Sequence, residues 1–253
     1  ESSTRMTDTF GMIDIHCHIL PCVDDGPQSL NEALAMLKKC ELDGITHIVA
    51  TPHCNQNLRL FCDNVPPHVE KLSEEIAKHR LDVRIFPGTE ITLYNVGVFK
   101  RNYEEKLYCH LGNDARYSLI EFPWKADRFP EGALELMTWL QERGTQPIVA
   151  HPERTAGLRE NLDFVRELMD AGCWLQISVD SIVGNNSSLA QNVARQLLSE
   201  YSDIVLATDS HNLQRCSGLC IGYEWVRREF GQERETDLRE RANQILLHLT
   251  KEN

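Results

Sequence analysis

Short apolar, β-branched runs alternate along the chain with longer stretches in which apolar residues recur every three to four positions. The runs at 12–18, 46–51, 82–86, 117–121, 147–150, 174–178 and 204–207 predict seven strands. Between them the helical period takes over. Ser29-Leu30-Asn31-Glu32 has a capping-box pattern and opens a helix whose apolar stripe is Leu34, Leu37 and Leu42. Further helices are predicted over 67–80, 130–143, 161–171 and 186–199, and a charged helical tail over 223–253 packs outside or extends the last unit. Gly44, Gly144 and Gly172 each follow a last helical turn, where a left-handed residue ends a helix without a Cβ penalty. Strands each followed by a helical crossover, with no linker and no longer repeat, predict one α/β domain, a single parallel barrel built on seven β-α units.

Residues 1–11 are polar and lack the apolar core of a secretory signal, so they read as a flexible leader or expression remnant, with the barrel domain over 12–253. No apolar run approaches the ~20 residues needed to span a bilayer. The chain of 253 residues carries 26 Lys+Arg against 38 Asp+Glu, a formal charge of −12, which argues against non-specific nucleic-acid binding. Its nine cysteines form no CxxC pair and no framework spacing, as expected of a reduced, cytoplasmic protein. They also form no cysteine-phosphatase loop. Cys54 to Arg59 is one residue too short for that loop and Cys109 to Arg116 one too long.

Barrel enzymes place their chemistry at the C-terminal ends of strands. Those ends carry His16 and His18 with Asp25 beyond them, then His53, Glu90, Glu121, His151, and Asp209 with His211. Only the sixth strand, ending at Ser178, lacks an obvious ligand. Alternation along a strand puts His16 and His18 on one face and Ile13, Ile15 and Cys17 on the other. Carboxylates gathered on one rim would repel one another and raise their own pKa values, whereas divalent cations satisfy them. Nine such groups overfill one metal site and suit two or three, and imidazole with carboxylate favours Mn, Fe or Zn over Ca or Cu(I).

Other residues have plainer readings. Asp14 either braces its strand or touches metal, and Asp24 shapes a turn with Gly26-Pro27. His47, His68, His79, His110 and His248 read as surface or packing residues, and Cys17 as core. Glu153 reads as a supporting partner of the ligands. Trp124, Tyr94 and Phe129 either line a groove for an aromatic phosphoester or pack their loops.

Asp14-Ile15-His16-Cys17-His18, Val23-Asp24-Asp25-Gly26-Pro27, Ala50-Thr51-Pro52-His53, Gly88-Thr89-Glu90, Ala115-Arg116-Tyr117-Ser118-Leu119-Ile120-Glu121-Phe122, Ala150-His151-Pro152-Glu153-Arg154 and Ser210-His211-Asn212-Leu213 follow in this order. Together they resemble the PHP (polymerase and histidinol phosphatase) superfamily. Within it they are similar to the bacterial manganese-dependent protein-tyrosine phosphatases of capsule and exopolysaccharide loci, the CpsB/YwqE type. The resemblance implies a distorted (β/α)7 TIM-like barrel with three divalent metal ions, Mn²⁺ first and Fe or Zn next. It implies one ion on His16, His18, Glu90 and Asp209, a second on Glu90, Glu121 and His151, and a third among Asp25, His53, Glu121 and His211. Arg154 matches a phosphate-gripping arginine, and Arg215 stands one residue closer to the last motif than the pattern expects of a second one. The implied reaction is phosphotyrosine hydrolysis by in-line attack of a metal-bound hydroxide. Its implied substrate is the tail of a membrane-bound tyrosine autokinase, met peripherally and without membrane insertion, and a homo-oligomer is left open. The runner-up is a PHP phosphoesterase acting on a small metabolite such as histidinol phosphate. An amidohydrolase would also begin with His-x-His, but would bridge its metals with a carboxylated Lys rather than with Glu90 and Glu121.

Overall fold

A computed structural model describes residues 11–124 and 129–247, so residues 1–10 of the expected leader and His248 lie outside the described residues. Among the described residues nine strands and ten α-helices follow one another: β1 Met12–Cys17, α1 Leu30–Asp43, β2 Ile45–Ala50, β3 His53–Cys54, α2 Val65–His79, β4 Arg84–Pro87, β5 Glu90–Thr92, α3 Val96–Glu104, β6 Tyr117–Glu121 and α4 Ala133–Gln141. The chain continues through β7 Gln146–Ala150, α5 Ala156–Arg159, α6 Leu162–Asp170, β8 Trp174–Ser178, α7 Val179–Val183, α8 Ser188–Glu200, β9 Ile204–Ala207, α9 Leu219–Phe230 and α10 Gln232–Leu246.

All strand pairs are parallel, in two sheets with the orders β1-β2-β4 and β3-β5-β6-β7-β8-β9. The seven expected strands become nine because two of them break. After Ala50 the chain leaves β2 at Thr51-Pro52 and resumes as β3, and after Pro87 it leaves β4 at Gly88-Thr89 and resumes as β5. Proline has no N–H to give to a ladder. A Cβ on Gly88 would stand 2.7 Å from Val49 Cγ1, so only glycine lets the two chains come this close. The two sheets meet at the far edge, where Cys17 bridges Ser210, His18 N–H donates to Ser210 O (2.9 Å) and Asp209 N–H donates to His16 O (2.9 Å).

Side chains alternate between two apolar clusters. Leu119, Ile148 and Val205 face inward with Ile13, Ile15 and Val49, whereas Ile120, Val149 and Leu206 face outward onto the helices. The first strand breaks this alternation. Asp14 pairs with Ile48 and Cys17 with Ala50, so three steps on β1 stand against two on β2, the count of a β-bulge. Ile13 and Ile15 therefore face inward, while Cys17 joins the outer cluster, which corrects the expectation that all three share one face.

The first helix starts as its sequence predicts. Ser29 Oγ accepts from Glu32 N at 3.2 Å, although Glu32 Oε2 accepts from Gln28 N (2.9 Å) rather than from Ser29. The charged tail lies in α9 and α10. Ala242, Ile245 and Leu246 of α10 enter the inner cluster, and Arg241 bonds Asp203, just ahead of β9, at 2.9 Å. The last helix thus covers the N-terminal ends of the strands and leaves the opposite rim free for chemistry.

His110 is a packing residue with a measurable consequence. It is buried beside the Tyr103 and Tyr108 rings, its Nδ1 lies 3.2 Å from Ser118 Oγ, and burial pushes its pKa down to about 4. The unfolded chain, titrating near 6.5, then binds the proton better, so this contribution to stability is complete above about pH 6.5 and is lost as pH falls towards 4. At about 1.4 kcal/mol per pH unit, this one group should remove roughly 2 kcal/mol between pH 6.5 and pH 5. His110→Asn should flatten that slope in urea midpoints taken across this range. An unchanged slope in the variant would contradict the assignment.

Candidate metal centre

Every strand-end residue singled out from the sequence lies on one rim, and each reaches it by a local device. The bulge in β1 brings His16 to the mouth beside His18, which follows the strand. Asp25 sits on a turn that Asp24 shapes by accepting from Gly26 N at 2.9 Å, and a Cβ on Gly26 would lie 2.5 Å from His18 O. The break in β2 starts β3 at His53, and the break in β4 starts β5 at Glu90. Glu121 ends β6. His151 and Asp209 follow β7 and β9 with φ of 30° and 51°, a left-handed backbone that costs a non-glycine residue roughly 1–3 kcal/mol. Gln176 Oε1 accepts from His151 N at 3.2 Å, and the His16 carbonyl holds Asp209 N, so neighbouring strands fix both strained turns.

Three of the histidines are oriented by what holds Nδ1. His18 Nδ1 donates to Asp24 Oδ2 (2.7 Å), His16 Nδ1 to Gln176 Oε1 (2.8 Å) and His211 Nδ1 to Asp209 O (2.9 Å). Each leaves Nε2 as an unprotonated acceptor, the tautomer that binds metal. His16 Nε2 and His18 Nε2 then face each other at 3.2 Å. Both also lie 3.3–3.4 Å from Glu90 Oε2 and Asp209 Oδ1, two buried carboxylate oxygens without a hydrogen-bond partner. In that tautomer four acceptors converge on one buried point with no donor among them. A cation satisfies all four.

Glu90 is the hub. Its Oε2 is approached by His53 Nδ1 (2.9 Å) as well as by His16 and His18, while its Oε1 meets His151 Nε2 at 2.8 Å. Among the described residues, further groups whose ligand atoms lie within 4.8 Å of one another join His18 with Asp25, His53 and His211, His16 with Glu90 and His151, and His53 with Glu90 and Glu121. Glu121 thus converges with His53 and Glu90, and His18 takes its place beside Asp25 and His211. The electrostatics ask for positive charge. Burial opposes protonation of His18 and His53, yet Asp24 and Glu90 hold the first up to about 9, and Asp25 and Glu90 hold the second up to about 10. Burial, with the charge of Glu90, raises Glu121.

The cluster opens into a cavity of about 150 Å³ that Arg154, Arg215 and Trp124 also line. Both guanidinium groups turn to the outer oxygen of Asp209. Arg154 Nη1 bonds Oδ2 directly, and Arg215 Nη2 lies 3.6 Å from it. Trp124 Nε1 donates to Glu121 Oε1 at 2.5 Å.

Two contributors do more than their sequence positions suggest. Gln176 supplies the sixth strand's part by holding both His16 and His151, and Asp24 holds both His18 and the backbone of His53 (3.0 Å). Asp14 braces the strand, accepting from Thr208 N at 3.1 Å and from His16 N at 3.3 Å. Glu153 points away from the cavity, its Oε1 taking Ser178 N (3.0 Å) and Ser181 Oγ (2.7 Å). Phe129 stacks on Phe164 at 3.8 Å between centroids and is loop packing. His68 and His79 are exposed on α2, bonded to Asn64 O and Glu75 O, and His47 stacks on Phe86.

A family model described as "Capsular polysaccharide synthesis, CpsB/CapC" matches residues 12–248. The chain belongs to the CpsB/CapC family. Tyrosine-protein phosphatase YwqE of Bacillus subtilis is 32% identical over 244 residues, covering 94% of this chain and 93% of that protein. A crystal structure from the pair YwqE of Bacillus subtilis and CpsB of Streptococcus pneumoniae, described as unique metal-dependent tyrosine phosphatases, superposes with a TM-score of 0.86. It is 31% identical and covers 93% of this chain and 94% of its own. An organophosphorus hydrolase variant from Deinococcus radiodurans, 15% identical with a TM-score of 0.56 over 94% and 93% of the two chains, shares the fold alone. This CpsB/CapC member therefore carries its strand-end cluster on the same architecture as metal-dependent phosphatases of its own family. Among its described residues no helix is long and apolar enough to cross a membrane.

Proposed function

We propose that this chain is a metal-dependent tyrosine-protein phosphatase whose two sheets act as the staves of one distorted barrel. One observation carries the reading. Two histidine nitrogens and two orphaned carboxylate oxygens converge on a single buried point beside a cavity lined by two arginines. His16, His18, Glu90 and Asp209 are the ligands of the first ion. Glu90 and His151, with Glu121, serve a second, and Asp25, His53 and His211 a third, with manganese the expected metal. Divalent ions there would supply Lewis-acid charge to phosphoryl oxygens and lower the pKa of water.

The protein's own residues do the rest. Arg154 and Arg215 exchange their contact with Asp209 for the non-bridging phosphoryl oxygens, which fixes the phosphorus over the Glu90 hub. A tyrosyl leaving group, with a pKa near 10, departs with less protonic help than an alkoxide needs. No cysteine is among the described residues that line the cavity, and burial pushes the Cys54, Cys109 and Cys173 thiols up to about 12, far from the thiolate a nucleophile requires. The names and descriptions of the relatives support phosphotyrosine as substrate, and the family description supports a place in capsule synthesis. The phosphotyrosine-bearing tail of a tyrosine autokinase at the cytoplasmic membrane face fits both.

Phosphate release from a phosphotyrosyl peptide is the test. Release should depend on added Mn²⁺, vanish after chelation and survive thiol alkylation. Hydrolysis of histidinol phosphate in its place would keep the site and move the function to metabolism.

A further inference from the structure

Among the described residues that line the cavity, Trp124 is the one aromatic residue other than histidine. Its indole ring lies 5.4 Å from the His151 ring, inclined by 35°, and the Arg154 guanidinium carbon stands 5.1 Å over its face. The N–H edge is tied to Glu121 Oε1, so the ring is pinned from three sides. Even so, the residue is 42% exposed. A large aromatic surface locked in place and left open beside an anion-gripping arginine is already ordered and needs no further immobilisation to bind.

We propose that Trp124 is the specificity wall of this site: it receives the ring of an aryl phosphoester and selects aryl over alkyl esters. The proposal rests on the phosphatase reading above. A phosphoryl group held by Arg154 and Arg215 puts its ester substituent at the mouth of the cavity. Among the described residues that line the cavity, Asp25, His53, Arg154 and Arg215 are charged or polar and offer a phenyl ring no apolar face. Trp124 offers one, in the offset or edge-to-face arrangement that aromatic pairs prefer. A serine or threonine phosphoester is shorter and has no ring to spend on that surface.

The indole N–H also orients Glu121, so the test separates ring from hydrogen bond. Wild type, Trp124→Phe and Trp124→Ala are assayed with Mn²⁺ on a phosphotyrosyl peptide and on the matched phosphoseryl peptide, with bound metal measured in each. The aryl-to-alkyl ratio of kcat/KM should fall about tenfold in Trp124→Ala, chiefly through KM for the aryl peptide, because ring contact and its buried area are lost. Trp124→Phe keeps a ring without the N–H and should hold the ratio within about threefold of wild type. Equal losses on both peptides in Trp124→Ala, or a ratio in Trp124→Phe as low as in Trp124→Ala, would overturn the proposal and leave Trp124 as a support for Glu121. A wild-type enzyme indifferent to the leaving group would overturn the tyrosine-phosphatase reading as well.

Discussion

Glu90→Gln should lower kcat/KM for a phosphotyrosyl substrate by about a thousandfold or more, a loss of about 4 kcal/mol in transition-state stabilisation. Among the described residues no other side chain on the rim meets four histidines. One oxygen faces His16, His18 and His53, and the other faces His151. Glutamine has the same shape, but its amide brings one acceptor, no charge and a donor that turns towards the imidazole nitrogens. The substitution therefore satisfies the protein while disarming the site. Removing the buried carboxylate also removes a charge that helps raise Glu121.

Two readouts accompany activity. Metal retained after gel filtration should fall by at least one ion per chain. Chelation should lower the thermal midpoint of wild type, because ligands that bind only the folded state stabilise it, and should move the midpoint of the variant much less. A variant that keeps full metal and more than a tenth of wild-type kcat/KM would remove Glu90 from the centre of the site.

What the sequence made legible was residue type at strand ends. His16, His18, Glu90, His151 and Asp209 follow apolar runs directly or nearly so, and parallel α/β architecture sends such positions to one rim. The geometry that makes them a site was not legible. Spacing of two suggested that His16 and His18 share a face opposite Ile13 and Ile15, yet the bulge between Asp14 and Cys17 puts Ile15 on the inner side as well. A bulge is decided by how two strands pair, and one strand's sequence does not contain its partner's register.

The short strands β3 and β5, of two and three residues, are too brief for any period to be read. Pro52 and Gly88 mark the two breaks, but only the close approach of Val49 to Gly88 says why the second occurs there. Gln176 escaped notice because a neutral amide in an apolar strand resembles an ordinary inward-facing polar residue. Its role exists only because β7 and β8 pair, which brings its Oε1 to the backbone of His151 while the same atom holds His16. The tail is legible as a charged helical segment that packs outside or extends the last unit, but not as a lid on the strands. The three apolar residues that seal the strands' other end, Ala242, Ile245 and Leu246, close a largely charged stretch and suggest little until α10 is seen against β9 and β1.

Arg154→Ala should cost about 10²–10³ in kcat, while bound metal stays at the wild-type level. The arginine leaves a turn that the left-handed backbone of His151 sets up, and its own N–H closes that turn onto His151 O at 2.9 Å. Its side chain, 13% exposed, is flanked by the Trp124 ring and bonded to Asp209 Oδ2. On the proposed reading that contact is the resting one. Asp209 turns its other oxygen, Oδ1, to His16 and His18, so a guanidinium that moves to an incoming phosphoryl group leaves the inner oxygen in place. On the proposed reading, substrate binding would exchange one anion for another at this guanidinium fork without disturbing Oδ1.

Lysine keeps the charge but not the planar pair of donors, so Arg154→Lys should recover part of KM and little of kcat. Arg215 is 43% exposed and reaches the same oxygen from 3.6 Å, so Arg215→Ala should be the milder loss, of about tenfold. Inhibition by inorganic phosphate, which uses the same fork, should weaken in parallel in all three variants. An Arg154→Ala enzyme within about threefold of wild-type kcat, or one that has lost its metal along with its activity, would show that this arginine holds Asp209 for the metal centre rather than the phosphoryl group for the reaction.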